Sequence, residues 1–253
     1  MTIPNITNKQ KEIILLLYRF RFLNRIQIQK LLKNKDHRNI NVWLKDLTAK
    51  NYVGRIYDNS YQKNTLPAKY YLVTNSIKYL KTLKDINVSL LKKFRQEKRR
   101  SNSFIDKSIL IGDIYLKLLN IDTLEHANFK FYTQQDFPKD GVIRVLLPDF
   151  AYVYKAEKHL EHFVGEIFSE KMPRYAIRGR INKFIEYFEN DEDRPTNIIF
   201  ICRNDLTRIF IEKHIYRYVR DEGSINANFY TTTKDQIDQN SMEISLFKKA
   251  EID

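Results

Sequence analysis

Residues 36–57 read DHRNINVWLKDLTAKNYVGRIY, and the spacing inside this stretch decides the architecture of the N-terminal part of the chain. Ile40, Trp43, Leu44 and Leu47 fall at i, i+3, i+4 and i+7, a single apolar stripe along a helix from His37 to Lys50. Asp36 is suited to cap that helix, because a carboxylate oxygen accepts from the unpaired N–H groups of a first turn. The opposite face offers Arg38, Asn39, Asn41, Val42 and Lys45. From Asn51 to Tyr57 the pattern changes to a helix stop and a short strand. Asp58 to Pro67 is a polar tip containing Lys63, and Lys69 to Val73 is the returning strand.

Upstream, Lys9 to Tyr18 carries Ile13, Leu16 and Leu17 at helical spacing, and Phe20 to Leu23 breaks the pattern. Asn24 then reads as the N-cap of a second helix through Leu32, with Ile26, Ile28, Leu31 and Leu32 apolar. A further helix begins near Thr74 or Asn75. Helix, helix, helix, strand, polar loop, strand, helix is the order of a winged helix-turn-helix, expected over residues 1–82. In such a module the third helix enters the major groove of DNA. Guanidinium and amide groups on Arg38, Asn39 and Asn41 suit base edges there, with Lys45 on the same face. Arg55, Lys63 and Lys69 would lie along the phosphate backbone.

The charge agrees with that assignment. Residues 1–100 hold 23 Lys+Arg against 6 Asp+Glu, whereas the remaining 153 hold 21 against 25. The +13 of the whole chain therefore belongs to one end, as expected when one half holds a polyanion. A hydrophobic content of 43% excludes wholesale disorder. Cys202 is the only cysteine, which excludes intrachain disulfides and cysteine-based zinc sites. It comes after four apolar residues and reads as a packed strand-end thiol. The run Ile13 to Leu17 is too short for a signal peptide, and no stretch reaches the length of a membrane span, so a cytoplasmic protein without membrane contact is expected.

Val88 to Arg100 carries Lys92, Lys93, Arg95, Lys98, Arg99 and Arg100 and reads as a basic helix, with residues 83–102 as a linker and a domain boundary near Arg100. Residues 103–253 read as an α+β or α/β domain. A long helix covers Ser103 to Leu119, and strands are expected at 129–132, 142–147, 149–154 and 162–168. A helix from Pro173 to Phe188 turns Ile177, Ile181, Phe184, Ile185 and Phe188 inward. Beyond it come a buried strand at 197–202, a helix at 207–219, a last strand at 226–230 and a short helix at 244–249. This order is that of the mixed-sheet, restriction-endonuclease-like fold. In that fold a Pro-Asp opens one strand, and a Glu two residues before a Lys lies on the next, together holding Mg²⁺ and the phosphate charge. Pro148-Asp149 is present and Glu166 lies on the next strand, but Phe168 stands where the lysine belongs.

The combination of a winged helix, a basic bridge, Pro148-Asp149-Phe150, a strand with Glu166, and a helix reading Lys183-Phe184-Ile185-Glu186-Tyr187 resembles the replication-relaxation family of plasmids and integrative elements. The resemblance covers residues 8–232 and rests on short motifs. The family pattern has an acidic residue two past the strand glutamate, where this chain has Phe168. The resemblance implies a DNA-associated role in replication, relaxation or transfer of a mobile element, or in its regulation.

Two readings of the second half stay open. In the first it has lost catalysis and serves self-association, a replication or relaxosome partner, or more DNA, with a homodimer on double-stranded DNA and no cofactor. In the alternative it is a metal-dependent nuclease or nickase using Asp149 and Glu166 on Mg²⁺, with Lys183 reaching from the helix in place of the missing strand lysine. Arg174, Arg178 and Arg180 form a basic cluster at the start of that helix, suited to phosphate or to nearby acids. An adaptor whose winged helix binds protein is a third possibility. His159 and His162 are too isolated to suggest zinc.

Overall fold

The computed structural model describes residues 3–57, 66–121, 129–138, 142–156, 159–169, 171–189, 196–222, 227–239 and 248–249. It is a mixed α/β chain that divides into two compact units, Met1–Leu116 and Lys117–Asp253.

The first unit is built on α1 (Asn8–Phe20), β1 (Leu23–Asn24), α2 (Arg25–Leu31), α3 (His37–Ala49), β2 (Val53–Ile56), β3 (Lys69–Leu72), α4 (Thr74–Leu80) and most of α5 (Asn102–Leu118). Local chemistry sets the helix starts. Thr7 and Gln10 form a reciprocal capping box on α1, Asn24 and Gln27 form another on α2, and Asp36 Oδ1 accepts from Arg38 N at 2.8 Å. The α1 ladder stops at Arg21, whose φ of 70° turns the chain away. Ile13, Ile14 and Leu17 pack with Ile28, Ile40, Leu44 and Leu47 to form the core, while Trp43 is only half-buried. Gln10 Nε2 donates to Asp46 Oδ2 at 2.6 Å, tying α1 to α3. Lys50 foremost, and then this bond, holds the Asp46 carboxyl below its ordinary range. The sheet is antiparallel in the order β1-β3-β2, with Val53 opposite Leu72 and Arg55 opposite Tyr70.

The boundary near Arg100 and the separate linker over 83–102 require correction. The segment Val88–Arg99 is a 3₁₀ helix with a break at Gln96, and it packs within the first unit. Leu91, Phe94 and Glu97 are buried, and every residue between them is exposed. At 3.0 residues per turn these three share one edge, which is why a basic run can still belong to a core. The Arg21 guanidinium pairs with the Glu97 carboxylate and lies over the rings of Phe94 (4.7 Å) and Phe104 (5.0 Å). Gln27 Nε2 donates at 2.7 Å to Ile109 O and Asp113 Oδ1, so α5 also packs on this unit.

The second unit contains the end of α5, then β4 (Lys130–Thr133), α6 (Val142–Leu146), β5 (Phe150–Ala156), β6 (His159–Ile167), α7 (Arg174–Glu189), β7 (Thr196–Cys202), α8 (Asp205–Glu222), β8 (Ala227–Thr233), α9 (Lys234–Gln239) and β9 (Lys248–Lys249). Its sheet is mixed, in the order β4-β5-β6-β7-β8-β9. The β4-β5-β6 and β8-β9 pairs are antiparallel, and the β6-β7-β8 pairs are parallel. Parallel neighbours need crossovers, and α7 and α8 supply them. Ile177, Ile181, Phe184 and Ile185 of α7, with Ile211 and Ile215 of α8, cover Ala151, Val164, Ile198, Phe200 and Phe229 of the sheet. On the sheet, Phe131, Phe150, Tyr152 and Phe163 stack in succession, the last two 4.6 Å apart and nearly coplanar.

Two further expectations are corrected. Residues 142–146 form a helix, α6, where a strand was expected. A short apolar run fits either state, and here Leu146 reaches the core while Val145 and Leu147 stay exposed. At the C-terminus β8 is not the last strand, because Lys248–Lys249 pair with it where the end of a helix was expected. Residues 244–247 of that expected helix lie outside the described residues.

Candidate nucleic-acid interface

On α3, the side chains of Arg38, Asn39, Asn41, Val42 and Lys45 are exposed, Val42 at 63%. None of the four polar side chains has a hydrogen-bond or ion-pair partner among the described residues. They are held in a row only because Ile40, Leu44 and Leu47 bury the other side of the helix. A face of two cations and two amides left unpaired is chemically ready for phosphates and base edges.

The expected strand contacts divide. Arg55 is exposed and lies 4.6 Å from the Tyr57 ring centroid, which pre-orients its guanidinium. Lys69 donates to Asp106 Oδ1 at 2.7 Å, so its charge is already partly compensated within the unit. Lys63 lies outside the described residues.

The second unit brings Asp149 and Glu166 to adjacent strands. Asp149 N donates to Gly165 O at 2.9 Å, continuing the β5-β6 register in which Phe150 faces Gly165. Both carboxylates are buried and committed. Asp149 Oδ2 accepts from Ile167 N at 2.8 Å, and Glu166 Oε2 accepts from Arg180 Nη2 at 2.7 Å. Arg180 also donates to Leu147 O at 3.0 Å, and Lys183, one turn on, donates to Val145 O at 2.8 Å. Lys183 therefore anchors α6. Arg180, seen in the sequence as one of three arginines suited to phosphate or to acids, is the cation that reaches the strand glutamate. Phe168 is packed in the core against Phe200.

This donor set does not fit Mg²⁺, the ion expected of a nuclease. A hard divalent ion takes several oxygen ligands, and the Glu166 oxygen is covered by a guanidinium. Among the described residues no group of three or more His, Cys, Asp or Glu could hold a metal. Cys202 is buried, and burial foremost, with Glu212 adding to it, pushes its thiol up to about 12, so it is no nucleophile.

No family model matches the chain. No curated protein matches it either. Among solved structures it is similar to the restriction endonuclease FokI bound to DNA, at 12% identity and a TM-score of 0.33 over 92% of this chain and 45% of that one. It is also similar to FokI described without DNA, at the same identity and TM-score, over 90% and 42%. The chain thus spans less than half the length of the structures it matches, and a TM-score of 0.33 fixes neither fold nor chemistry. Among the described residues no helix is long and apolar enough to cross a membrane.

Proposed function

We propose that the chain is a double-stranded DNA-binding protein of a plasmid or other mobile element. In this reading its first unit is a winged helix that presents α3 to the major groove. The observation that carries it is the unpaired row Arg38, Asn39, Asn41 and Lys45 on α3. It is supported by the order α1-β1-α2-α3-β2-β3 with a β1-β3-β2 sheet, and by 24 Lys+Arg against 8 Asp+Glu over residues 1–116. The resemblance to the replication-relaxation family makes replication, relaxation or transfer, or its regulation, the context. A homodimer on a two-fold site is expected. The second unit is taken as a restriction-endonuclease-like domain without catalysis, serving self-association, a replication or relaxosome partner, or further DNA contact.

A salt titration of duplex binding tests the reading. Arg38→Ala with Lys45→Ala is expected to weaken binding by roughly 10- to 1,000-fold and to flatten the dependence of log K on log salt by about 1–2. Binding unchanged by the pair, or insensitive to salt, would overturn it. Incubation with supercoiled plasmid and Mg²⁺ or Mn²⁺ is expected to leave the plasmid intact, because Arg180 covers Glu166. Nicking that vanishes in Glu166→Ala would replace this reading with a metal-dependent nickase using Asp149 and Glu166.

A further inference from the structure

The arginines of the second unit fall into two classes. On α8, Arg208 pairs with Asp205 and Glu212, and Arg220 pairs with Asp221. On α7, Arg180 pairs with Glu166. Arg174, Arg178 and Arg217 have no carboxylate partner among the described residues. They stay unpaired in a unit whose residues 117–253 hold 20 Lys+Arg against 23 Asp+Glu, where acids are plentiful.

The unpaired arginines gather along one line. Arg174 and Arg178 lie over the same ring, Phe210 of α8, at 5.2 and 5.8 Å from its centroid. One turn further along α7 from Arg178, Asn182 Oδ1 bonds His214 Nε2 at 2.7 Å, and His214 is one turn beyond Phe210 on α8. A row of Arg174, Arg178 and Asn182 therefore faces a row of Phe210, His214 and Arg217 across the groove between two helices running the same way. Burial, then Arg178 and Arg217, depresses the His214 imidazole, so the two guanidiniums from different helices bear on one point.

We propose that the groove between α7 and α8 is a second nucleic-acid contact of this protein, in which Arg174, Arg178 and Arg217 neutralise backbone phosphates. The occupant is set by the chemistry. Uncompensated guanidiniums call for an anion. Planar forks already laid on an aromatic ring suit the tetrahedral oxygens of phosphate. Tyr175, 76% exposed beside Arg174, and Tyr216 beside Arg217 offer ring faces on which bases stack. An acidic protein segment would use the charges but leave those rings idle. The surface is independent of the α3 face, and neither needs the other to be correct.

The test uses the full-length protein and two fluorescent probes, a duplex and a single strand of mixed sequence, read by anisotropy across a salt series. Arg174→Ala/Arg178→Ala is expected to weaken binding of at least one probe by about tenfold or more. It should also flatten the salt dependence of log K by about 1.4–1.8. The Lys/Lys variant is expected to retain the slope, and thermal melts of both variants to match the parent because the positions are exposed. In an Arg38→Ala/Lys45→Ala background the remaining affinity should fall further when Arg174 and Arg178 are removed. Unchanged affinity and slope for both probes in the α7 variant would overturn the proposal, whatever the α3 variant does. Capture of poly-glutamate in preference to both nucleic acids would overturn it in favour of an acidic protein partner.

Discussion

Glu97→Ala is expected to destabilise the first unit by about 3–5 kcal/mol, the cost of leaving a buried charge without its partner. The Arg21 and Glu97 side chains are 8% and 0% exposed. Removing the carboxylate strands a guanidinium enclosed by Phe94, Phe104 and the carbonyl of Lys93, which accepts from Arg21 Nη2 at 3.3 Å. Arg21 cannot easily swing to water, because it is the positive-φ residue that ends α1. The measurement is urea unfolding monitored by the fluorescence of Trp43, the only tryptophan, which lies on α3 of this unit. Arg21→Met with Glu97→Leu should be much milder than Glu97→Ala, since an apolar pair replaces two desolvated charges. If Glu97→Ala proved neutral, the pair would have to be solvated in solution.

Gly165→Ala is expected to cost the second unit about 3 kcal/mol or more, beyond the ordinary penalty of an overpacked core. A Cβ at Gly165 would lie 2.0 Å from Phe150 Cζ, directly across the β5-β6 pair. Phe150 is fully buried and nearly coplanar with Phe131 and Tyr152, so its ring cannot turn aside without moving the stack. The glycine is therefore required by the ring opposite it. Far-UV circular dichroism during thermal unfolding reads the loss. Phe150→Leu in the same chain should recover part of it, making the double variant less unstable than the sum of the singles. Full additivity would show that the clash is relieved elsewhere.

How much of this was legible in the sequence depended on how far apart the partners lie. Asn24 and Asp36 announced the starts of α2 and α3, because a cap and its N–H partner are within three residues. The 3.6-residue stripe on α7 gave Ile177, Ile181, Phe184 and Ile185 as its inward face, and the structure places them in the core. Residues 142–146 misled because five apolar or mixed residues before a proline carry no period long enough to distinguish strand from helix. The pairing of Glu166 with Arg180 spans 14 residues and that of Arg21 with Glu97 spans 76, and neither leaves a local pattern. One signal was present for the second pair. Glu97 is the single acid between Leu91 and Arg100, among six cations, and an acid in such a run has a reason to be there.

The 3₁₀ segment gives residues 91–99 a reading frame. The run divides into LKK, FRQ and EKR, and the first member of each triplet faces inward. Removing one residue between Phe94 and Glu97 would rotate the rest of the segment by a third of a turn, about 120° at three residues per turn. Lys98 would then take the inward edge that Glu97 holds, placing a cation against Arg21. A loss of three residues keeps the phase and a loss of one inverts the charge at the pocket. Length changes in this segment are therefore constrained by threes, much as codons are, although every exposed residue in it is chemically free to vary.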